Sequence, residues 1–218
     1  MQTRGLRIDT VFDIGAHTGT WTRMARAYVP RDSEFYLFEA NSTHYENLQS
    51  IGYSVFNVVL GSNEGTAEFY ASGSTGDSLF RENTPFYDSV TARTVDVVTL
   101  DHVVEHEGLP LPDFVKIDTQ GSEVEILQGG HDSLRQTQLL LLEMPIVRYN
   151  SGAPGFDAYI DVARDLGFVP FRLIESHMGN GLLLQVDILF ISMGALETLY
   201  GSDAVSWATR LSGFSTDE

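Results

Sequence analysis

The stretch Val11-Phe12-Asp13-Ile14-Gly15-Ala16-His17-Thr18-Gly19 constrains this chain more than any other. A strand-like run from about Thr10 to Ile14 enters Gly15, and a helical pattern begins at once. Trp21, Met24, Ala25 and Tyr28 fall at i, i+3, i+4 and i+7, the spacing of a helix with one buried stripe. Strand, glycine turn and helix in such close succession open a βαβ unit. Glycine lets the backbone approach a ligand closely, and a helix start offers unpaired N–H groups. The spacing is G-x-x-x-G, which is neither the G-x-G-x-x-G of dinucleotide binders nor a P-loop. Asp13 places a carboxylate where a diphosphate would otherwise sit, which repels a pyrophosphate and suits a cationic ligand. The plainer alternative is a βα turn with structural glycines.

The alternation of short apolar runs and amphipathic stretches continues, as in a mostly parallel sheet flanked by helices. Strands are expected at Phe35–Phe38, about Tyr53–Leu60, Asp113–Asp118, Gln138–Glu143, Phe168–Ile174 and Leu182–Ile191, the last two paired antiparallel. Thr43 with Glu46, and Ser122 with Glu125, read as capping boxes. Phe156, Ile160 and Ala163 stripe a helix that stops at Leu166, with Gly167 past its end. From Gly61 to Leu100 the pattern changes: Thr66–Ala71 and Arg93–Thr99 read as an inserted hairpin around a long polar loop. The tail after Ser192 reads as a weak helix followed by polar disorder. The expected organisation is one domain over 1–218, with its core at about 8–192, the insertion at 61–100 and the tail at 193–218.

Glu39 closes the second strand, twenty-four residues after Gly15. An acid there can accept hydrogen bonds from both hydroxyls of a ribose, although it could also serve only as a dipole partner for the next helix. Together the turn and Glu39 point to an adenosine-bearing ligand. A cationic one is S-adenosylmethionine, whose amino acid moiety carries an ammonium.

From these residues the chain resembles the FkbM-type class I S-adenosylmethionine-dependent methyltransferases. The glycine-turn segment, Phe38-Glu39-Ala40-Asn41 and Val98-Thr99-Leu100-Asp101 all carry the likeness. Its sharpest part is Val115-Lys116-Ile117-Asp118-Thr119-Gln120-Gly121-Ser122-Glu123, followed by Ile126-Leu127-Gln128-Gly129-Gly130. Leu141-Leu142-Glu143 and Gln185-Val186-Asp187-Ile188-Leu189-Phe190 also fit, so the likeness runs from about Thr10 to Ser192. Gln120 stands where the family often has glutamate and is given no proton-transfer role. The resemblance implies an α/β, Rossmann-like class I methyltransferase fold: a mostly parallel seven-stranded sheet with an antiparallel last strand, here carrying the inserted β-hairpin. It also implies methyl transfer from S-adenosylmethionine, typically to a hydroxyl of a sugar, polyketide or other small metabolite.

Ligands of doubly wound sheets lie beyond the carboxyl ends of the strands, where Asp13, Glu39, Asp118 and Glu143 all stand in this reading. The resemblance assigns Asp13, Gly15, Ala16, Gly19 and Glu39 to the cofactor. His17, which could instead only serve the start of its helix, and Ala40 stand beside them, and Val59 and Leu60, at the end of the third strand, are expected near the adenine. Asp118 and Glu143 then face the methyl group and acceptor as catalytic candidates, Asp118 also touching the cofactor. Either could instead cap a helix or orient a loop. The loop Gly73–Leu79 could cover the acceptor as a lid, and Met144-Pro145 with Arg148-Tyr149-Asn150 would line its pocket.

Charge and composition narrow the partners. Thirty acidic against thirteen basic residues give a net charge of −17, which repels a phosphate backbone and argues against nucleic acid. With no cysteine, thiol catalysis, thiolate metal sites and disulfides are excluded. The apolar runs are too short to span a membrane, and the N-terminus lacks the apolar region of a secretory signal, so the expected location is the cytoplasm. No metal ligand is assigned, although a divalent cation could sit among the carboxylates at the active edge, and a homo-oligomer stays open. His102-Val103-Val104-Glu105-His106 matches H-x-x-E-H, but the stretch is short and no downstream helix offers a third ligand, so it reads as a solvated helical turn. Two alternatives remain. An NAD-dependent oxidoreductase explains Glu39 but neither Asp13 nor the missing G-x-G-x-x-G, and a non-catalytic cofactor-binding module would retain the pocket alone.

Overall fold

The structure, a computed structural model, describes residues 5–70, 77–81, 83, 88, 90–148 and 150–212. Strand β1 (Thr10–Ile14) is buried at every position and forms the centre of a seven-stranded sheet. It pairs in parallel with β2 (Glu34–Phe38) on one side and β7 (Phe114–Ile117) on the other. Outward from β2 lies β3 (Ser54–Phe56), and outward from β7 lie β8 (Leu139–Pro145), β10 (Leu182–Ser192) and β9 (Phe168–Gly179). Only β10 runs antiparallel to its neighbours. Chain order reverses direction at β1 and β7, so the crevice for a ligand opens at their carboxyl ends.

Strand side chains alternate between two faces, and each face builds its own core. Phe12, Ile14, Leu140, Leu142 and Phe190 pack against α3 (Leu100–Glu107), α4 (Glu123–Gly129) and α5 (Phe156–Asp165). Val11, Leu37, Leu141, Leu189 and Ile191 pack on the opposite side, with Ala25 of α1 (Thr20–Ala25) and Leu48 of α2 (Ser42–Ser50). Both α/β layering and the antiparallel strand accord with the expected fold.

Several local expectations are corrected. Helix α1 is short, and its stripe is only partly buried: Met24 and Tyr28 are 57% and 60% exposed. Helix α2 is capped by Asn41, whose side chain accepts from the Thr43 N–H, in place of a Thr43–Glu46 box. The Ser122 side chain makes no capping bond either. The expected third strand divides because Asn57 turns inward, its Nδ2 donating to the carbonyls of Glu39 and Ala40. Beyond it, Val59–Leu60 form β4, which joins the inserted hairpin β5 (Gly65–Tyr70) and β6 (Ala92–Val98) in a separate three-stranded sheet. The tail is more ordered than expected, with α6 (Met193–Tyr200) and α7 (Ser202–Ser212), Ala195 and Leu196 being buried against the second core. Its last residues, 213–218, lie outside the described ones. Among the described residues no helix is long and apolar enough to cross a membrane.

Candidate active site

A cavity of about 480 Å³ opens at the carboxyl ends of β1, β2, β7 and β8, within the size range of small-molecule sites. Its first wall is the glycine turn. Gly15 has a φ of 76°, and both Gly15 and Ala16 donate their N–H groups to the Phe38 carbonyl. A β-carbon at Gly15 would meet the Asp118 carbonyl oxygen at 1.8 Å, so the turns after β1 and β7 can touch only through glycine. His17 and Gln120, one in each turn, hold left-handed φ values of 47° and 58° without being glycine. Such backbone strain concentrates at functional sites.

Glu39 forms the second wall. It is only 8% exposed, and its Oε2 accepts from the His17 N–H at 2.7 Å while Oε1 accepts from the Asn41 N–H at 2.8 Å. Each oxygen keeps a lone pair for a further donor. Burial raises the Glu39 carboxyl above its ordinary value, against the pull of the two backbone hydrogen bonds. Beside it the rings of His17 and His44 lie 4.1 Å apart. Burial lowers the His17 imidazole, and His44 adds to that effect. Both ring nitrogens of His44 are buried without a hydrogen-bond partner, and the ring lines the cavity.

The opposite wall carries the carboxylates. Lys116 Nζ sits 3.2 Å from Asp118 Oδ2, 3.4 Å from Asp13 Oδ1 and 3.1 Å from the Gly15 carbonyl. Burial opposes this ammonium, but Asp118 and Asp13 hold it above its usual range. Burial alone would raise Asp118; the Lys116 charge, with hydrogen bonds from Glu143 and Gln120, holds it lower instead. The Glu143 carboxyl is pushed up to about 9, by burial first and then by the charges of Asp118 and Glu123. Gln120 Nε2 bridges the two, donating to Asp118 Oδ1 at 3.2 Å and Glu143 Oε2 at 2.6 Å.

The turn after β7 is anchored from below by Glu123, not by a capping box. Its carboxylate accepts from the Thr119 and Gly121 N–H groups and from Tyr159 Oη at 2.6 Å. Burial raises this carboxyl as well, against those hydrogen bonds.

Of the residues expected to meet the cofactor, Gly15, Ala16, His17, Glu39, Ala40, Val59, Leu60 and Asp118 line the cavity, as does Glu143. Asp13 does not. It is fully buried below the floor, accepts from Thr22 Oγ1 at 2.5 Å and faces Lys116 across the β1–β7 register. Gly19 is also outside the lining; its φ of 71° starts α1. Lys116 and His44, given no role from sequence, are part of the wall. The register partner Asp13 marks Lys116, the chain's single lysine, but nothing local marks His44.

The expected lid lies partly outside the described residues, at 73–76, while Asp77, Ser78 and Leu79 line the cavity. Asn41 Nδ2 donates to Asp77 at 2.7 Å, and Ser78 Oγ donates to the Gln120 carbonyl at 2.7 Å, tying this segment to the start of α2 and to the turn after β7. Pro145, Arg148 and Asn150 line a small adjoining cleft. Met144 instead points into the core, and Tyr149 is outside the described residues. His102 and His106 stack on α3, both side chains well exposed, and His102 pairs with Glu64 at 2.8 Å. No group of metal-ligand type among the described residues includes them.

A family model described as the methyltransferase FkbM domain matches residues 13–170. The hexuronic acid methyltransferase AglP of Haloferax volcanii is 24% identical over 143 residues, covering 62% of this chain and 56% of that relative. The crystal structure of a methyltransferase FkbM from Methylobacillus flagellatus KT superposes with a TM-score of 0.53 at 15% identity, over 83% of this chain and 43% of that one. The chain thus spans about half the length of these relatives.

Proposed function

The chain belongs to the methyltransferase FkbM family, and from that premise we propose that it methylates a hydroxyl of a small molecule, a sugar foremost, using S-adenosylmethionine. The observation that carries the reading is one cavity lined by Gly15, Glu39, Asp118 and Glu143 together. The residues fit an adenosine-bearing donor. The turn is cleared of side chain at Gly15, Glu39 keeps free acceptor capacity, and the buried ring nitrogens of His44 lack partners. The hexuronic acid specificity of the Haloferax relative favours a sugar acid as the first acceptor to try.

The donor supplies an electrophilic methyl group, and transfer is an in-line displacement that depends chiefly on positioning. Glu39 holds the ribose hydroxyls, and the backbone turn at Gly15–His17 packs against the rest of the donor. Asp118, oriented by Lys116 and Gln120, accepts the hydrogen of the attacking hydroxyl. Lys116 ties the turns after β1 and β7 together, since one ammonium touches both the Gly15 carbonyl and Asp118. Residues 77–79 help to exclude water.

Calorimetric titration with S-adenosylhomocysteine tests the donor site. Wild type should bind in the micromolar range, and Glu39→Ala should weaken binding by at least about tenfold, or 1.4 kcal/mol. Methyl transfer to uronic acids and neutral sugars would follow. No binding by a folded wild type sinks the reading.

A further inference from the structure

Three side chains beyond the donor site converge at the carboxyl edge of the sheet. Leu139 and Leu141 of β8, and Ile191 and Leu189 of β10, belong to the same apolar core. The next residue on that face of each strand is a carboxylate: Glu143 on β8 and Asp187 on β10, which are register partners. Strand β9 adds His177, opposite Gln185 and therefore diagonal to Asp187, within reach across a sheet face. One ligand atom from each of Glu143, His177 and Asp187 lies within 4.8 Å of the other two.

The atoms are turned inward. His177 Nε2 and Asp187 Oδ1 lie 3.3 Å apart as an ion pair, both atoms closed to solvent and without a hydrogen bond of good geometry. Half-buried carboxylates at the end of an apolar face are stabilised by a cation, and His177 is the partner that Asp187 has here. Among the described residues no lysine or arginine pairs with Glu143 or Asp187, and Lys116 is held by Asp13 and Asp118. Glu143 gives one oxygen to Gln120 and shares a hydrogen bond with Asp118, whose proton a bound cation would displace.

We infer that Glu143, His177 and Asp187 form a divalent-cation site, of a chemistry suited to Mn²⁺. Two carboxylates suit a hard ion and the imidazole favours a first-row transition metal, a combination that Mn²⁺ meets better than Ca²⁺ or Mg²⁺, and three protein ligands leave coordination positions open. Glu143 also lines the main cavity, so an open position would hold an oxygen of the acceptor. That use rests on the methyl-transfer reading, whereas the binding itself does not.

The test is calorimetric titration of the metal-free full chain with Mn²⁺, with the bound ion followed by electron paramagnetic resonance. One Mn²⁺ per chain is expected. Asp187→Asn and His177→Gln should each weaken it at least about tenfold while leaving S-adenosylhomocysteine binding unchanged. His102→Gln, at the exposed histidine pair on α3, should change nothing. No Mn²⁺ bound by the folded chain overturns the site. So does binding that survives both substitutions, or binding that His102→Gln removes. Should Asp187→Asn fail to fold, His177→Gln decides alone, because its side chain is 38% exposed. Mn²⁺ binding without S-adenosylhomocysteine binding would uphold the site and count against the methyl-transfer reading alone.

Discussion

The carbonyl oxygen of Asp118 lies where a β-carbon on Gly15 would be, 1.8 Å from its ideal position. The two turns that frame the cavity are therefore in backbone contact, and the Asp118 N–H donates to the Ile14 carbonyl just before it. Gly15→Ala cannot be absorbed by a rotamer change, because the obstacle is main chain. The left-handed φ at this position adds about 1–2 kcal/mol for any other residue. Gly15→Ala should lower the melting temperature and abolish S-adenosylhomocysteine binding. Binding within about threefold of wild type, under 1 kcal/mol, would show that the turns separate freely and that this contact does not shape the site.

Lys116 should matter more for folding than its single charge suggests. Replacing it with methionine keeps the stem but leaves Asp13 and Asp118 without their shared cation, and Asp13 is fully buried. Breaking a buried pair in this way costs about 3–5 kcal/mol, readable by urea denaturation. The sign with pH follows from the two shifts. Lys116 is raised, so its contribution is present at neutral pH and is lost only as pH climbs past the ordinary 10.5 through the raised value. Asp118 is lowered, so its share is present above 3.8 and is lost as pH falls through the lowered value. The Lys116 contacts with Asp13 and Asp118 should thus contribute at neutral pH, while Glu143, raised to about 9, lowers stability as pH climbs from 4.5 through that value. An unfolding free energy for Lys116→Met within 1 kcal/mol of wild type would refute the argument.

Glu39 makes donor binding sensitive to mild acid. Its carboxyl is raised by burial, and only the ionised form offers acceptors to both ribose hydroxyls. Affinity for S-adenosylhomocysteine should fall as pH drops from 8 toward 5, beginning at a higher pH than an exposed glutamate would produce. The same shift makes Glu39 a mild liability for the fold: stability falls as pH rises from 4.5 through the raised value. Affinity and this part of stability should run in opposite directions with pH. Calorimetry paired with thermal melts at several pH values tests it, and affinity flat down to pH 5 counts against a ribose-binding Glu39.

The positions of the central strands were legible because buried parallel strands are largely apolar runs, and Leu139–Leu142 and Val11–Ile14, broken only by Asp13, have no competing pattern. The strand-end acids Glu39, Asp118 and Glu143 were legible for the same reason: each closes such a run, and all three line the cavity. Asp13 lies below the cavity and not in its lining because it pairs with Lys116, 103 residues away, by a register that no local spacing reveals. Helix α6 was under-read because its apolar positions follow a strand without a break, separated only by the Ser192 cap. Glu123 was passed over in favour of Ser122 and Glu125, since a capping box is visible in sequence and a glutamate folded back under its own turn is not.

That glutamate supports the last prediction. Glu123 is 1% exposed and holds the turn carrying Asp118 and Gln120 through the Thr119 and Gly121 N–H groups, while Tyr159 Oη donates to it at 2.6 Å. Its carboxyl is raised above 4.5 by burial, with Tyr159 pulling the other way. The folded state therefore binds more protons than the unfolded one between 4.5 and the raised value, and stability falls as pH rises across that window. Tyr159→Phe removes the phenol that best supports the ionised form, so the window widens upward. Loss of a hydrogen bond to a charged group costs about 1.5–3 kcal/mol, and the deficit should be larger at pH 8 than at pH 5. Because the turn loosens with it, methyl transfer should fall by more than S-adenosylhomocysteine affinity does. Urea unfolding of wild type and Tyr159→Phe at both pH values separates this from ordinary packing loss. The apolar ring is retained in the variant, so a deficit equal at pH 5 and pH 8 would mean that the Tyr159 hydroxyl does not bear on the ionisation of Glu123.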